Sequence, residues 1–173
     1  RRVSTPIIEI LRSRRALPQD DSKDIMITIE SKYDYPAALI ERAVQAALTH
    51  QKESLDVNLS VVLTDNRRLH KLNRDYLGVD APTDVLSFPA SESDPETGAR
   101  YIGDILISVP YAAKGAKLAG NSLEAELQLL VVHGVLHLLG HDHAKPKDKS
   151  KMWKAQAQIL EALGLGDVVI REE

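Results

Sequence analysis

Cysteine is absent from the 173-residue chain. Disulfides, thiolate metal ligands and a cysteine nucleophile are therefore excluded together, which fits a reducing compartment. Aromatic residues are scarce at 4%, with one Phe and one Trp, so a core must be assembled from Leu, Ile, Val and Ala. No apolar run reaches the roughly eighteen residues that a membrane helix needs, and no membrane partner is expected. An excess of basic charge is also missing. The net charge is −3, so any nucleic-acid contact must come from a local patch. What remains is 43% hydrophobic and 27% charged residues, an ordinary globular composition. The length suits one domain with a core of its own.

Residues 1–25 carry Arg1, Arg2, Arg12, Arg14 and Arg15, with Glu9 the one acidic residue before Asp20. Two readings stand: an Arg-rich organelle-targeting segment, or an N-terminal extension outside the fold. The folded domain is expected over 26–166, with a C-terminal tail at 167–173.

Hydrophobic periodicity predicts strands at 25–30, 57–64, 83–88 and 102–108. It predicts helices at 35–53, 66–76, 121–139 and 148–163, with Pro110 opening one more. The stretch 89–100 reads as an exposed loop. Asn121, followed three residues later by Glu124, predicts the start of the third of these helices. The centre of that helix is apolar all round, which predicts burial. The expected fold class is α+β: a small mixed four-stranded sheet packed with about five helices, the metal site on a buried helix.

Four of the six histidines fall within "HGVLHLLGHDH", residues 133–143. His133 and His137 are four apart and share one helix face. Gly140 is a stop signal, after which the chain can turn and return His143 to the same point. Three imidazoles suit one zinc ion, other divalent transition metals being possible, and leave one coordination position open for water. His141 is either a fourth ligand or a neighbour of the site. Asp142 is either an acceptor orienting a ligand histidine or a turn residue. The spacing H-x-x-x-H-x-x-G-x-x-H is that of metzincin proteases, where a Glu follows the first histidine as general base. Gly134 stands there instead and cannot move a proton. It provides either clearance for substrate or close packing against a sheet.

The chain strongly resembles the YbeY family of metal-dependent endoribonucleases. Its signature H-G-x-L-H-L-x-G-Y-D-H matches here except at His141, which replaces the usual tyrosine. "PTDVLSFP" (82–89) and "GDILIS" (103–108) match two further blocks. The resemblance implies a zinc-type ion on His133, His137 and His143, catalytic through the metal. It implies cleavage of single-stranded RNA, 3′-end maturation of small-subunit ribosomal RNA and ribosome quality control. The implied partners are ribosomal RNA and the small subunit, with ribosomal proteins and assembly GTPases. The implied location is the bacterial cytoplasm, or an organelle if residues 1–25 are a targeting segment. One departure matters: many members carry an arginine where this chain has Leu77. A guanidinium binds phosphate bidentately and a leucine does not, so Arg74 or another element would have to supply the charge.

Candidate RNA contacts are Arg74, Lys114, Lys117, Lys145, Lys147 and Lys149. Trp153 reads as a core residue, with base stacking the competing role. Asp84 and Ser87 could line a cleft, and Asp104 could orient a ligand histidine or lie exposed on its strand. The alternatives are an assembly factor with a structural ion, and a metallopeptidase that borrows Glu124, Glu126 or Asp142 as base.

Overall fold

A computed structural model describes residues 25–54, 56–93 and 98–171. The expectations for residues 1–24 lie outside these described residues. Four strands, β1 (Met26–Ser31), β2 (Val57–Thr64), β3 (Val85–Ser93) and β4 (Arg100–Ser108), form one sheet in the order β1-β2-β4-β3. β1 and β4 both run parallel to β2, and β3 lies antiparallel on the outer edge of β4. Among the described residues, five α-helices accompany the sheet: α1 (Ala37–His50), α2 (Asn66–Leu72), α3 (Val109–Ala119), α4 (Leu123–Leu138) and α5 (Pro146–Ala162). The fold is the α+β arrangement expected from the sequence.

Alternation along the central strands decides which helix lies on which face. Leu59, Val61 and Leu63 of β2, with Ile105 and Ile107 of β4, face the main core. That core holds the buried stripes of α1, α4 and α5. Val62 and Leu106 point the other way and meet Leu69 of α2, with Leu72 and Tyr76 partly covering them. Helix α4 sits deepest. Leu127, Val131, Val132, Val135 and Leu136 are inaccessible to solvent, each contributing on the order of 2 kcal/mol of burial.

Several boundaries differ from expectation for local reasons. Ser122, not Asn121, caps α4, its hydroxyl accepting from the Ala125 N–H at 3.1 Å. β3 runs past Pro89 to Ser93, where a loop was expected. Proline is tolerated because β3 is an edge strand with an irregularity in its pairing between Pro89 and Glu92. The short helix after β2 ends at Leu72 and continues as a π-helical turn, Asn73–Leu77, a form that often marks functional positions. Val168 and Ile170, in the segment expected as a tail, pack against the core beside Leu165.

Two glycines let α4 approach the sheet. A Cβ on Gly134 would lie 2.8–3.0 Å from three side-chain atoms of Ile105. Of the two readings of Gly134, close packing is therefore the one realised. The helix gives up about 1 kcal/mol of propensity there, and the packed interface offsets it. Gly103 has φ +134°, and a Cβ there would meet the Phe88 carbonyl oxygen at 2.2 Å and Leu138 Cδ2 at 2.9 Å.

Candidate metal centre

The last turns of α4 carry His133 and His137 on one face, with ring centroids 4.7 Å apart. The helix then closes through Gly140, whose N–H donates to the His137 carbonyl while the His141 N–H donates to that of Leu136, both at 3.0 Å. Gly140 takes the left-handed conformation that this closure requires, with φ +93°. The chain reverses, and Asp142 holds the turn. Its Oδ1 accepts from the N–H groups of His143 (2.7 Å) and Ala144 (3.1 Å), which keep its carboxyl below the usual range. His143 thereby returns to within 5.0 Å of the His137 ring and 5.5 Å of the His133 ring, centre to centre.

Hydrogen bonds choose the nitrogen that each helical histidine presents. His133 Nδ1 donates to Gln156 Oε1 at 2.9 Å, and His137 Nδ1 donates to the His141 carbonyl at 2.9 Å. Both acceptors lack a proton to give, so both Nε2 atoms keep their lone pairs. Those two atoms face each other at 3.1 Å. Such an approach is unfavourable unless a cation or a proton lies between them. Burial, and then the neighbouring His137, push His133 down to about 4, which disfavours the proton. His137 is lowered as well, by burial first. One ligand atom from each of His133, His137 and His143 lies within 4.8 Å of the others. The donor set therefore fits a metal ion with imidazole preference, half-buried on the helix side and exposed at His143.

The histidines lie in a cleft of roughly 730 Å³. Asp84, Ser87, His141, Asp142, Lys149 and Leu77 line it too. His141 stands outside the ligand cluster. Its Nε2 bonds Gln51 Oε1 at 2.7 Å, which ties to α1 the residue whose carbonyl orients His137. Asp142 is a turn residue that aims His143 through the backbone. Asp104 departs from both expectations. It is buried on the opposite face of β4, where Tyr101 Oη (2.6 Å) and Ser60 Oγ donate to it. Strand alternation puts it on the Leu106 side, away from α4.

Of the candidate RNA contacts, only Lys149 borders the cleft. On α5 the positions 149, 153 and 156 form one stripe toward the histidines. Lys145 and Lys147 fall off that stripe, and Lys114 and Lys117 are exposed on α3 outside the cleft. Arg74 is also outside and pairs with Asp75. Trp153 is more than a core residue. It borders the cleft edge-on to His133 (5.8 Å) and His143 (5.5 Å), with Lys149 Nζ 5.5 Å from its ring centre. Leu77 is 53% exposed and presents no charge to the cleft.

Sequence reasoning missed Gln156. The available signal was a glutamine inside the apolar stripe Met152, Ala155, Ile159, since a buried amide needs a partner. Gln156→Leu is expected to lower metal affinity about 10- to 100-fold, as for other groups that orient a ligand histidine. Competition with a chromogenic chelator measures it, and unchanged affinity would remove Gln156 from the centre.

Fold and site together define an α+β protein with a cluster of three histidines, able to hold a metal ion, at the end of a buried helix and open to a cleft. The model of the family described as Endoribonuclease YbeY matches residues 22–164. An endoribonuclease YbeY from Roseiflexus castenholzii is 42% identical over 154 residues, covering 84% of this chain and 97% of the relative. One from a Roseiflexus sp. (strain RS-1) is 45% identical over 135 residues, covering 75% and 84%. The solution structure of TM1509 from Thermotoga maritima superposes with a TM-score of 0.53 at 27% identity, over 86% of this chain and 99% of that one. The chain belongs to the YbeY endoribonuclease family.

Proposed function

We propose that the protein is a metal-dependent, single-strand-specific endoribonuclease acting in small-subunit ribosomal RNA 3′-end maturation and ribosome quality control. The observation that carries this reading is the pair of Nε2 lone pairs converging at 3.1 Å in the cleft. His133, His137 and His143 would hold one ion, for which zinc best suits three imidazoles. When bound, such an ion polarises a phosphoryl oxygen and lowers the pKa of a water toward neutrality.

The chain's own residues supply the rest. Gln156 and the His141 carbonyl hold two ligand rings in register. Trp153 walls the site, its ring 5.5 Å from that of His143, and is the aromatic group there on which an unpaired base would stack. Lys149 adds positive charge at the same wall. The peptidase reading lacks a placed base: Gly134 has no side chain, and Asp142 is engaged by two backbone N–H groups. Glu126 lies about 10 Å along the helix axis from His133. Ribosomal RNA and the small subunit are the proposed partners, with ribosomal proteins and assembly GTPases around them. The cytoplasm is the proposed location. Among the described residues no helix is long and apolar enough to cross a membrane.

The test is to map cut ends on a precursor of small-subunit RNA, with and without a chelator. Chelator-sensitive cuts in single-stranded segments near the 3′ end are expected. Binding without any cut would favour the assembly-factor reading, and cleavage of casein but not RNA would favour the peptidase.

A further inference from the structure

We propose that Arg171, on the segment after α5, is a phosphate-binding residue of the cleft that positions single-stranded RNA for the centre. The inference rests on the endoribonuclease reading and deepens it. Arg171 borders the same cleft as the three histidines and is exposed to it. It is not a loose end. Asn121 grips the backbone two residues earlier: its Nδ2 donates to the Val169 carbonyl at 2.9 Å, and its Oδ1 accepts from the Val169 N–H at 3.1 Å. Glu126 in turn accepts from Asn121 Nδ2 at 2.8 Å. Val168 and Ile170 pack onto the core on either side of that grip. The guanidinium lies over Gly115, where the missing side chain leaves room. Its NH1 stands 3.2 Å, and Glu126 Oε1 3.4 Å, from the point a Cβ there would occupy.

Placement and chemistry agree. A guanidinium on a held backbone loses little freedom on binding, and it matches the two oxygens of a phosphodiester. Leu77 leaves its wall of the cleft uncharged, so Arg171 supplies fixed positive charge from another element. The guanidinium NH1 and the buried Glu126 Oε1 flank the same point beside Gly115.

The test measures binding of a fluorescent single-stranded oligoribonucleotide to the full metal-loaded chain over a range of salt, together with its cleavage. Arg171→Gln, Arg171→Lys and, as a charge-matched control on exposed α2, Arg67→Gln are compared. Arg171→Gln is expected to weaken binding about tenfold, the worth of one charge-assisted hydrogen bond. It should lower the salt slope by about 0.7, one single-strand phosphate contact. Arg171→Lys should keep the slope, because the charge remains, but recover only part of the affinity, because the two-point contact is lost, and Arg67→Gln should match the unaltered protein. If the unaltered protein binds RNA and Arg171→Gln binds it equally well with the same slope, the proposal is overturned and the endoribonuclease reading is untouched. Equal losses in both Arg171 variants, with a lowered melting temperature and an unchanged slope, would make the residue a structural partner of Glu126 and also overturn it. Failure of the unaltered protein to bind RNA at all would overturn both.

Discussion

His137→Ala is expected to strip the protein of metal and abolish RNA cleavage while leaving the fold intact. His137 shares the lone-pair approach at 3.1 Å, and its Nδ1 is committed to the His141 carbonyl. Removing it leaves two imidazoles, one of them on an exposed loop. Metal affinity should fall by more than about 100-fold, the upper range for losing a group that merely orients a ligand. The fold should survive because the ring is only half-buried and the helix is held by Leu136 and Val135, both inaccessible to solvent. Elemental analysis of the purified protein and cleavage of single-stranded RNA read the two effects. A chelator should reproduce the loss in the unaltered protein and add nothing to the variant. Stoichiometric metal in the variant, or cleavage at an unaltered rate, would refute the three-histidine centre.

Gly103→Ala is expected to be the most damaging small substitution in the sheet. Its φ of +134° is a region that L residues rarely adopt, a strain of about 1–3 kcal/mol. The added methyl would also stand 2.2 Å from the Phe88 carbonyl oxygen and 3.0 Å from Pro89 Cα. Those are backbone atoms of β3, paired to β4 and unable to retreat without breaking the ladder. The combined cost is about 3 kcal/mol or more, a fall of about 10 °C in melting temperature for a chain of this size. Leu138 Cδ2, 2.9 Å from the same methyl, belongs to the turn of α4 that carries His137. Metal affinity should therefore fall together with stability. Calorimetry on the metal-free and metal-loaded variant tests this, and a melting temperature within about 2 °C of the unaltered protein would show that the sheet yields more easily than its geometry implies.

Much of the fold was legible because its signals are local. β2 and β4 are apolar runs rich in β-branched residues, and α4 is an apolar segment followed by a glycine stop. The boundaries that shifted are those where a neighbour decides. Pro89 ends a strand in isolation, yet it is accommodated at the sheet edge. Asn121 is as good a cap as Ser122 by residue type, but its amide is drawn to Val169, 48 positions away. By sequence Asp104 reads as either a partner of a ligand histidine or an exposed strand residue, whereas the pairing of β4 turns it toward Ser60.

The sequence by itself determined the candidate ligand set: four-residue spacing puts His133 and His137 on one face of any helix, and Gly140 lets the chain return with His143. It also determined that Gly134 offers no base. The tertiary structure alone decided how those ligands are aimed. The partner of His133 is Gln156, 23 positions away, and the anchor of His141 is Gln51, 90 positions away. It alone decided that Lys149, rather than the other candidates Lys114, Lys117, Lys145 and Lys147, meets the cleft, and that Arg171 joins it there. The reason is physical. Spacing along a helix follows from backbone geometry within a few residues, whereas the choice of a ring nitrogen or a cleft wall depends on contacts that exist only after distant segments have packed.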